Sequence, residues 1–373
     1  MTDFLIVARS GRALATSAYH AGYKVHVIDC FADIDTKAVS YSTHQLRCQR
    51  EGFNKTELIE QVKALVSCYP EVILVVGAGF EKTPTLLDDL AEITSVLSNE
   101  KSIVHNLKDP IVFSAMLKSA SIKAPEISLI RPDSSDGWLL KEIAATGGSH
   151  VKWLSKINLN TDPCYYQKHI PGITFSAVFL ARETHAILVG INEQLRSEQF
   201  NEMPFLYKGV VKLNAVEEEH SRSIIEIINK ITKKTGLKGL CGVDYVVTKS
   251  GEIVVLEVNP RPPSSFELHE QQCTLFDAHL ACFDGRENHY KSNQDNVSRG
   301  YAIYYATQNI QITANIVWPN WVKDIPVAGS AIVEKLPVCT VYAENESIRE
   351  VKTVLQERLN YIETMIMAEQ SAE

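Results

Sequence analysis

The sequence predicts a mixed α/β (α+β) protein, with an N-terminal parallel sheet followed by a larger region built on antiparallel hairpins. Three observations lead there. Over the first ~100 residues, short β-branched runs alternate with helix-spaced segments, an alternation that makes βαβ units and a parallel sheet. Between Gly242 and Asn259 two apolar runs flank a turn ending in Gly251, which reads as an antiparallel hairpin. The second run closes on Glu257-Val258-Asn259-Pro260-Arg261, oxygen ligands followed by a strand terminator and a cation.

The N-terminal elements follow in order. Residues 4–8 form a short apolar strand, Ser10-Gly11 a turn, 12–20 a helix closed by Gly22, and 24–28 a second strand ending at Asp29. A strand at 72–76 runs into Gly77-Ala78-Gly79-Phe80-Glu81 and a helix from Thr83, repeating the unit. After the first strand stands Ser-Gly-Arg-Ala-Leu-Ala instead of Gly-x-Gly-x-x-Gly, so the dinucleotide fingerprint is missing. Gly77 and Gly79 either make tight turns or mark a substrate site, because ligands of open parallel sheets lie at the carboxyl ends of strands. Ser10, Arg12 and Glu81 stand at those ends and are the candidate substrate residues. Arg12 and Glu81 would orient a carboxylate and an amine, unless both are solvated loop residues.

Further along, a helix spans 110–118, and the loop 133–137 leads into a strand at 138–143 carrying Lys141. Thr146-Gly147-Gly148-Ser149 follows, a glycine loop whose N–H groups can fold over phosphate oxygens. Strands are expected at 175–181 and 187–195, and the polar segment 196–209 suits a lid. A helix over 217–235 carries acids in its first turn and lysines in its last, which matches the helix dipole. Past Arg261, a loop enters a helix bearing His269 and Glu270, and 284–298 is the linker candidate. Strands at 301–305, 330–334 and 337–343, with a helix over 347–365, form a C-terminal lobe that finishes the sheet.

Composition narrows the class. With 373 residues and 45% hydrophobic content the chain has room for two or three packed units. A net charge of −8 disfavours nucleic acid as a partner, since counterion-release binding needs a basic surface. The first residues carry an acid where a secretory leader is basic, and no run approaches the roughly 20 apolar residues of a membrane span. Eight cysteines occur without a Cys-x-x-Cys pair, so no zinc knuckle is indicated and reduced thiols in a cytoplasm are expected.

The hairpin carries the chemistry. With a two- or four-residue loop, Asp244 faces Val255 and Glu257 lies one diagonal step away. Side chains alternate along strands, so Asp244, Glu257 and Asn259 share one face. Three hard oxygen ligands suit magnesium, with manganese as the alternative, and the ion keeps waters and substrate phosphates in its shell. Arg261 then presents a positive fork to those phosphates. The residues read as a metal–nucleotide site.

This order of motifs resembles the ATP-grasp superfamily, in which an N-terminal parallel-sheet domain precedes the nucleotide-binding subdomains. Its members hold the magnesium ions of ATP with an acidic residue on one strand and Glu-x-Asn on the next, and the following Arg touches the transferred phosphate. The resemblance implies Asp244, Glu257 and Asn259 as metal ligands and Arg261 as phosphate clamp and catalytic residue. Family chains place an Asp or Lys on the preceding helix, then apolar-Pro, then a strand Lys or Arg for the α-phosphate, which implies that role for Lys141. Gly147, Gly148 and Ser149 would cover the phosphates. Tyr165-Tyr166-Gln167-Lys168-His169-Ile170-Pro171-Gly172 is similar to the family hinge, apolar-Gln-Glu-aromatic-Ile-x-Gly. Gln167, Lys168, His169 and Ile170 are therefore implied at the adenine edge. Lys168 replaces the usual Glu, and Thr174 stands where many members carry a ribose-binding acid, so recognition would rest on the backbone. His169 reads equally as a packing residue.

The resemblance implies three segments: a pre-ATP-grasp substrate domain over 1–106; an ATP-grasp domain over 107–283, hinged near 167–172 with its metal hairpin at 242–259; and a linker and lobe over 284–373. It further implies an ADP-forming carboxylate–amine ligase that makes an amide through an acyl phosphate, with ATP and Mg2+ as cofactors. The wording around residues 8–15, 77–81 and 337–343 is similar to ATP-grasp proteins of one-carbon cofactor (methylofuran and tetrahydromethanopterin) synthesis. More distantly it resembles tyramine–glutamate ligase, which implies glutamate joined to an aromatic amine or amino acid. An ATP-dependent carboxylase acting on a small amine, and a non-catalytic ATP-binding protein, are the alternatives. Expected partners are a small carboxylate and a small amine, with no nucleic acid or membrane; a homo-oligomer is compatible.

Overall fold

Five short strands, β1 (Asp3–Val7), β2 (Lys24–Asp29), β3 (Ser42–Gln45), β4 (Ile73–Val76) and β5 (Val96–Leu97), pair in parallel in the order β3-β2-β1-β4-β5. The computed structural model describes residues 2–49, 52–156, 163–197, 199–270, 274–286, 290 and 296–370. From Phe4 to Val7, β1 is apolar because both of its faces are covered. Phe4 and Ile6 pack with Ala13, Leu14 and Ala18 of α1 (Arg12–His20), which leads through β2 to the short α2 (Ile34–Val39). Leu5 and Val7 pack with Leu58 and Val62 of α3 (Lys55–Cys68) and Leu86 and Leu90 of α4 (Leu86–Ala91). The helix expected from Thr83 thus begins at Leu86, after a turn in which the Leu86 N–H donates to the Thr83 carbonyl. Missing from the sequence reading was α3, although Asn54 caps it by accepting from Glu57 N–H and Leu58, Val62 and Leu65 form its buried stripe. α5 (Lys101–Lys108) and α6 (Pro110–Ser119) then carry the chain out of this sheet.

A second sheet holds β6 (Ile127–Ser128), β7 (Trp138–Glu142), β8 (Lys152–Trp153) and β9 (Cys164–Lys168) in the order β8-β7-β9-β6. The third and largest contains β10 (Ile173–Arg182), β11 (Ala186–Arg196), β12 (Tyr207–Lys212), β13 (Lys238–Val247), β14 (Ile253–Asn259), β15 (Ser298–Tyr305), β16 (Val322–Lys323) and β17 (Pro337–Asn345). Their order, β14-β13-β10-β11-β12-β15-β17-β16, shows the C-terminal strands extending the same sheet. α7 (Glu218–Thr235) buries Ile224, Ile228 and Ile231 on one face, against Phe179 and Tyr245. α8 (Leu275–Asp284) covers the other face, joining Val178 and Leu240 to the α1 side of the first sheet through Phe276. α9 (Ile348–Gln370) packs Val351, Leu355 and Ile362 on β15 and β17 and runs past the expected end at 365.

Other expectations shift. The strand at 330–334 shrinks to Ala331–Ile332. His269 and Glu270 lie at the end of a 3-10 turn, Ser264–His269, instead of within a helix. Of the linker 284–298, residues 287–289 and 291–295 lie outside the described residues, as does Cys273. The expectation of reduced thiols throughout is overturned by Cys30 and Cys48, which form a disulfide with Cα atoms 5.4 Å apart. They meet because the Leu46 N–H donates to the Asp29 carbonyl, folding the segment after β3 back along the end of β2. No helix among the described residues is long and apolar enough to cross a membrane.

One ion cluster ties the N-terminal lobe to the rest. Arg12, only 5% exposed, donates two parallel bonds to Glu267 (2.8 Å each), one from Nε to Asp324 (2.7 Å) and one to the Tyr342 hydroxyl (2.7 Å). Burial opposes its charge, but Asp324, Glu267 and Tyr342 raise its pKa well above the usual value. Asp35 of α2 accepts from the Asp324 and Ile325 N–H groups (2.8 Å each), reinforcing the same junction. Removing one member of such a set leaves buried carboxylates without their cation. Arg12→Ala should therefore cost on the order of 3–5 kcal/mol of stability, read as a large fall in Tm, while surviving folded protein keeps its nucleotide affinity. A stable variant that instead lost a carboxylate substrate would return Arg12 to a binding role.

Candidate active site

The β13–β14 hairpin closes with a three-residue loop, 249–251. Thr248 N–H donates to the Glu252 carbonyl at 3.0 Å, and Gly251 adopts φ +81, a left-handed conformation that glycine takes without a Cβ clash. Tyr245 pairs with Val255, and a bulge between Asp244 and Tyr245 then sets Asp244 opposite Glu257 and Gly242 opposite Asn259. The expected loop of two or four residues and the Asp244–Val255 pairing are both corrected here. Because Leu256 is the extra residue, the two carboxylates become direct cross-strand partners instead of diagonal ones. Bulges commonly re-aim side chains in this way beside active sites.

The oxygens converge on a cation that the chain itself supplies. Lys108, at the end of α5 and 8% exposed, donates from Nζ to Glu257 Oε1 and, at 3.0 Å, to Asn259 Oδ1. Its position is set by the helix junction, where Asp109 caps α6 by accepting from Ile111 and Val112 N–H and Pro110 takes the first turn. Asp244 accepts from Gln194 of β11 (2.9 Å) and from the Asn259 amide (3.4 Å). Burial would raise the Glu257 pKa, yet Lys108 and Lys141 hold it below the ordinary carboxylate value. Burial and the neighbouring Glu257 push Asp244 up to about 7. Such an oxygen set fits a hard divalent cation. Among the described residues no three His, Cys, Asp or Glu side chains gather as a metal cluster, so Asn259 and phosphate oxygens would have to complete the shell.

Arg261 projects beside this face and donates from Nε to Glu81 at 2.8 Å. Glu81 also accepts from the Gly79 N–H. Burial works to raise the Glu81 pKa, but Arg261 and Lys108 hold it down at about 2.

A cavity of about 380 Å³ runs from this charged end toward β9, with Lys108, Lys141, Gly148, Gln167, Ile170 and Glu257 on its walls. Lys141 of β7 donates to Gln167 (3.2 Å) and lies 5.5 Å from the Tyr165 ring centre. Burial disfavours its charge, but Tyr165, Glu257 and Asp244 raise its pKa on balance. Gly147 and Gly148 line the cavity, whereas Ser149 is exposed and off its wall. A Cβ on Gly148 would run into the Phe205 carbonyl, and Tyr207 N–H donates to the Gly147 carbonyl at 3.0 Å. The segment 196–209 therefore rests on the glycine loop, with Phe205, Leu206 and Tyr207 in the cavity wall; residue 198 lies outside the described set.

At the far end the hinge divides its roles. Gln167, His169 and Ile170 line the cavity, and His169 packs with Trp153 (4.9 Å) and Phe205 (6.1 Å). Lys168 is not on the wall. Its ammonium donates to the Asp136 carbonyl, while the Lys168 and His169 N–H groups donate to the Glu126 and Gly137 carbonyls, all at 2.9 Å. His150, missed in the sequence, also lines the cavity; burial and then Lys141 lower its pKa to about 4. Lys108 and Gln194 were missed too, although the resemblance implied an Asp or Lys on that helix.

The substrate candidates separate. Ser10 is exposed at the end of β1, Arg12 is bound to Glu267 and Asp324, and Glu81 is bound to Arg261. Arg12 and Glu81 are thus not one pair of opposite charges, because each already has its own counter-ion.

Residues 108–265 match the family model of the ATP-grasp domain. Over that segment the fold is that of an ATP-grasp domain. An L-amino acid ligase from Bacillus licheniformis aligns with a TM-score of 0.68 at 13% identity, over 96% of this chain and 97% of that one. The ADP complex of N5-carboxyaminoimidazole ribonucleotide synthetase aligns at 0.68 and 14% identity, over 98% and 97%. The biotin carboxylase domain of the Hydrogenobacter thermophilus 2-oxoglutarate carboxylase, a complex with MgADP and bicarbonate, aligns at 0.69 and 11% identity, over 92% and 86%. An uncharacterized protein of Methanocaldococcus jannaschii is 22% identical over 380 residues, covering 96% of this chain and 92% of its own length.

If the hairpin face holds the metal, Glu257→Gln should weaken magnesium-dependent ADP binding by about 10-fold or more, since it removes a hard anionic ligand. Calorimetric titration would measure this. The Asp244 value of about 7 gives the sign of the pH dependence: below it the group is protonated and loses ligand charge, so magnesium affinity should fall as pH drops. An unchanged affinity in the variant would remove the metal assignment.

Proposed function

We propose that the protein is an ATP-dependent carboxylate–amine ligase that forms an amide through an acyl phosphate. The observation that supports this reading is that Asp244, Glu257 and Asn259 line one cavity together with Lys108, Lys141 and Arg261. Phosphoryl transfer asks mainly for positioning and charge neutralisation, and these residues supply both. Magnesium held by Asp244, Glu257 and Asn259 would neutralise the β- and γ-phosphates. Lys141 and the Gly147-Gly148 loop would hold the phosphate chain, with the adenine edge at Ile170. A substrate carboxylate oxygen attacks the γ-phosphorus, ADP leaves, and Arg261 steadies the charge on the transferring group. An amine then adds to the acyl carbon, phosphate departs, and the ammonium proton is released.

The L-amino acid ligase among the structural neighbours supports this class, and the resemblance to one-carbon cofactor proteins points to glutamate and an aromatic amine or amino acid in methylofuran-type synthesis. A carboxylase is the second reading, favoured by the equally similar structure that contains bicarbonate.

Carboxylate substrate labelled with ¹⁸O should transfer one label into the phosphate released with ADP, as followed by mass spectrometry. Label arriving from bicarbonate would select the carboxylase, and AMP with pyrophosphate, or unlabelled phosphate, would contradict both.

A further inference from the structure

The wall that carries Arg261 and the metal face also carries neutral hydroxyl groups, those of Tyr207 and Ser264. Tyr301, only 2% exposed and not itself on the wall, joins the two. Its phenol oxygen lies 2.7 Å from the Tyr207 hydroxyl and 2.7 Å from the Ser264 hydroxyl. The contact follows from the packing of two strands. Val210 of β12 pairs with Tyr301 of β15, and a Cβ on Gly209 would run into the Tyr301 carbonyl, so the glycine is what lets the strands approach so closely. Tyr305 fixes the Tyr207 backbone in turn, donating from its hydroxyl to the Tyr207 carbonyl at 2.7 Å.

Three hydroxyls carry three protons, and the two contacts use two of them. Tyr301 does not keep the spare one, because among the described residues its hydroxyl has no third partner, and a buried donor without an acceptor is disfavoured. The spare O–H therefore falls at one end of the row, on Tyr207 or on Ser264. A phenol is the better donor and an alkyl hydroxyl the better acceptor, so Tyr207 donates to Tyr301 and Tyr301 donates to Ser264. Burial raises the pKa of both phenols, which keeps the row protonated. Hydrogen bonds aligned in one direction polarise each other, and the serine proton at the end is left for the cavity.

We propose that Ser264 donates this hydrogen bond to a terminal phosphate oxygen of bound ATP, with Tyr301 and Tyr207 as the positioning residues that aim it. The proposal deepens the ligase reading and rests on it. A phosphate oxygen only accepts, and a hydrogen bond to a charged acceptor is stronger than one between neutral groups. The placement agrees with that chemistry. Tyr207 is tied by its N–H to the Gly147 carbonyl, on the loop that would cover the phosphates, and Ser264 stands three residues beyond Arg261, the proposed clamp. Lys108 and Arg261 already have counter-ions in Glu257 and Glu81. The serine proton, unlike them, reaches a phosphate without breaking an ion pair.

The test is calorimetric titration of the full chain with MgADP and with the magnesium complex of β,γ-imido-ATP, which differ by the third phosphate. Ser264→Ala should weaken β,γ-imido-ATP binding by about 10-fold, the scale of one hydrogen bond to a charged group, and leave MgADP affinity and Tm near wild type. Tyr301→Phe should weaken the same nucleotide selectively, and the double variant should lose no more than Ser264→Ala alone, because the row acts as one unit. Ser264→Thr keeps a hydroxyl and should retain the affinity. Ser264 is exposed to the cavity, so its variants decide even if Tyr301→Phe folds poorly. Unchanged β,γ-imido-ATP affinity in Ser264→Ala, or an equal loss for both nucleotides, overturns the proposal. Selective loss in the variants without label transfer from any carboxylate would sink the ligase reading and leave the hydroxyl row standing. Label transfer with variants that bind β,γ-imido-ATP as wild type does would do the reverse.

Discussion

The position of one extra residue, Leu256, governs the candidate active site. In the register that the three-residue loop sets, Asp244 without the bulge would stand opposite Leu256, and Glu257 would lie on the other face of the sheet. With it, Asp244 and Glu257 are opposed on one face with Asn259 beside them. Two half-buried carboxylates in direct opposition repel, and partial desolvation together with that repulsion shifts Asp244 upward. A proton on Asp244 or a nearby cation relieves that repulsion. The chain supplies Lys108 for the purpose, and a metal–nucleotide complex would supply a stronger one.

The same principle of matched charge orders the regions around it. Arg261 is balanced by Glu81, Lys82 by Glu142, and Arg12 by Glu267 and Asp324. Each of these pairs joins different sheets or lobes, so the electrostatics of the site and the packing of the lobes are not independent. Arg12, with several partners in fixed geometry, acts as the tie.

What the sequence revealed depended on whether the signal was local. The expected shared face of Asp244, Glu257 and Asn259 is present, but it depends on the bulge as well as on strand alternation, because the three-residue loop by itself would set Asp244 opposite Leu256. The bulge did not show, because nothing in Val255-Leu256-Glu257 distinguishes a regular strand from a bulged one. Lys108 lies 149 residues from Glu257, and before folding it is one more lysine at a helix end. The partners of Arg12 were hidden for a similar reason, since they stand 255 and 312 residues away. The Cys30–Cys48 pair likewise requires the fold-back after β3, which composition cannot reveal. Helix α3, by contrast, was fully signalled by its Asn54 cap and leucine-valine stripe.

We propose that Lys108 stands where Asp244, Glu257 and Asn259 would hold a divalent cation. A crystal structure with magnesium and a non-hydrolysable ATP analogue tests this directly. It should show the ion bonded to oxygens of those three residues at about 2.0–2.1 Å, with the Lys108 ammonium moved from Glu257 onto a phosphate oxygen. A complex in which Lys108 still bridges Glu257 and Asn259 while the metal and phosphates lie elsewhere would contradict it.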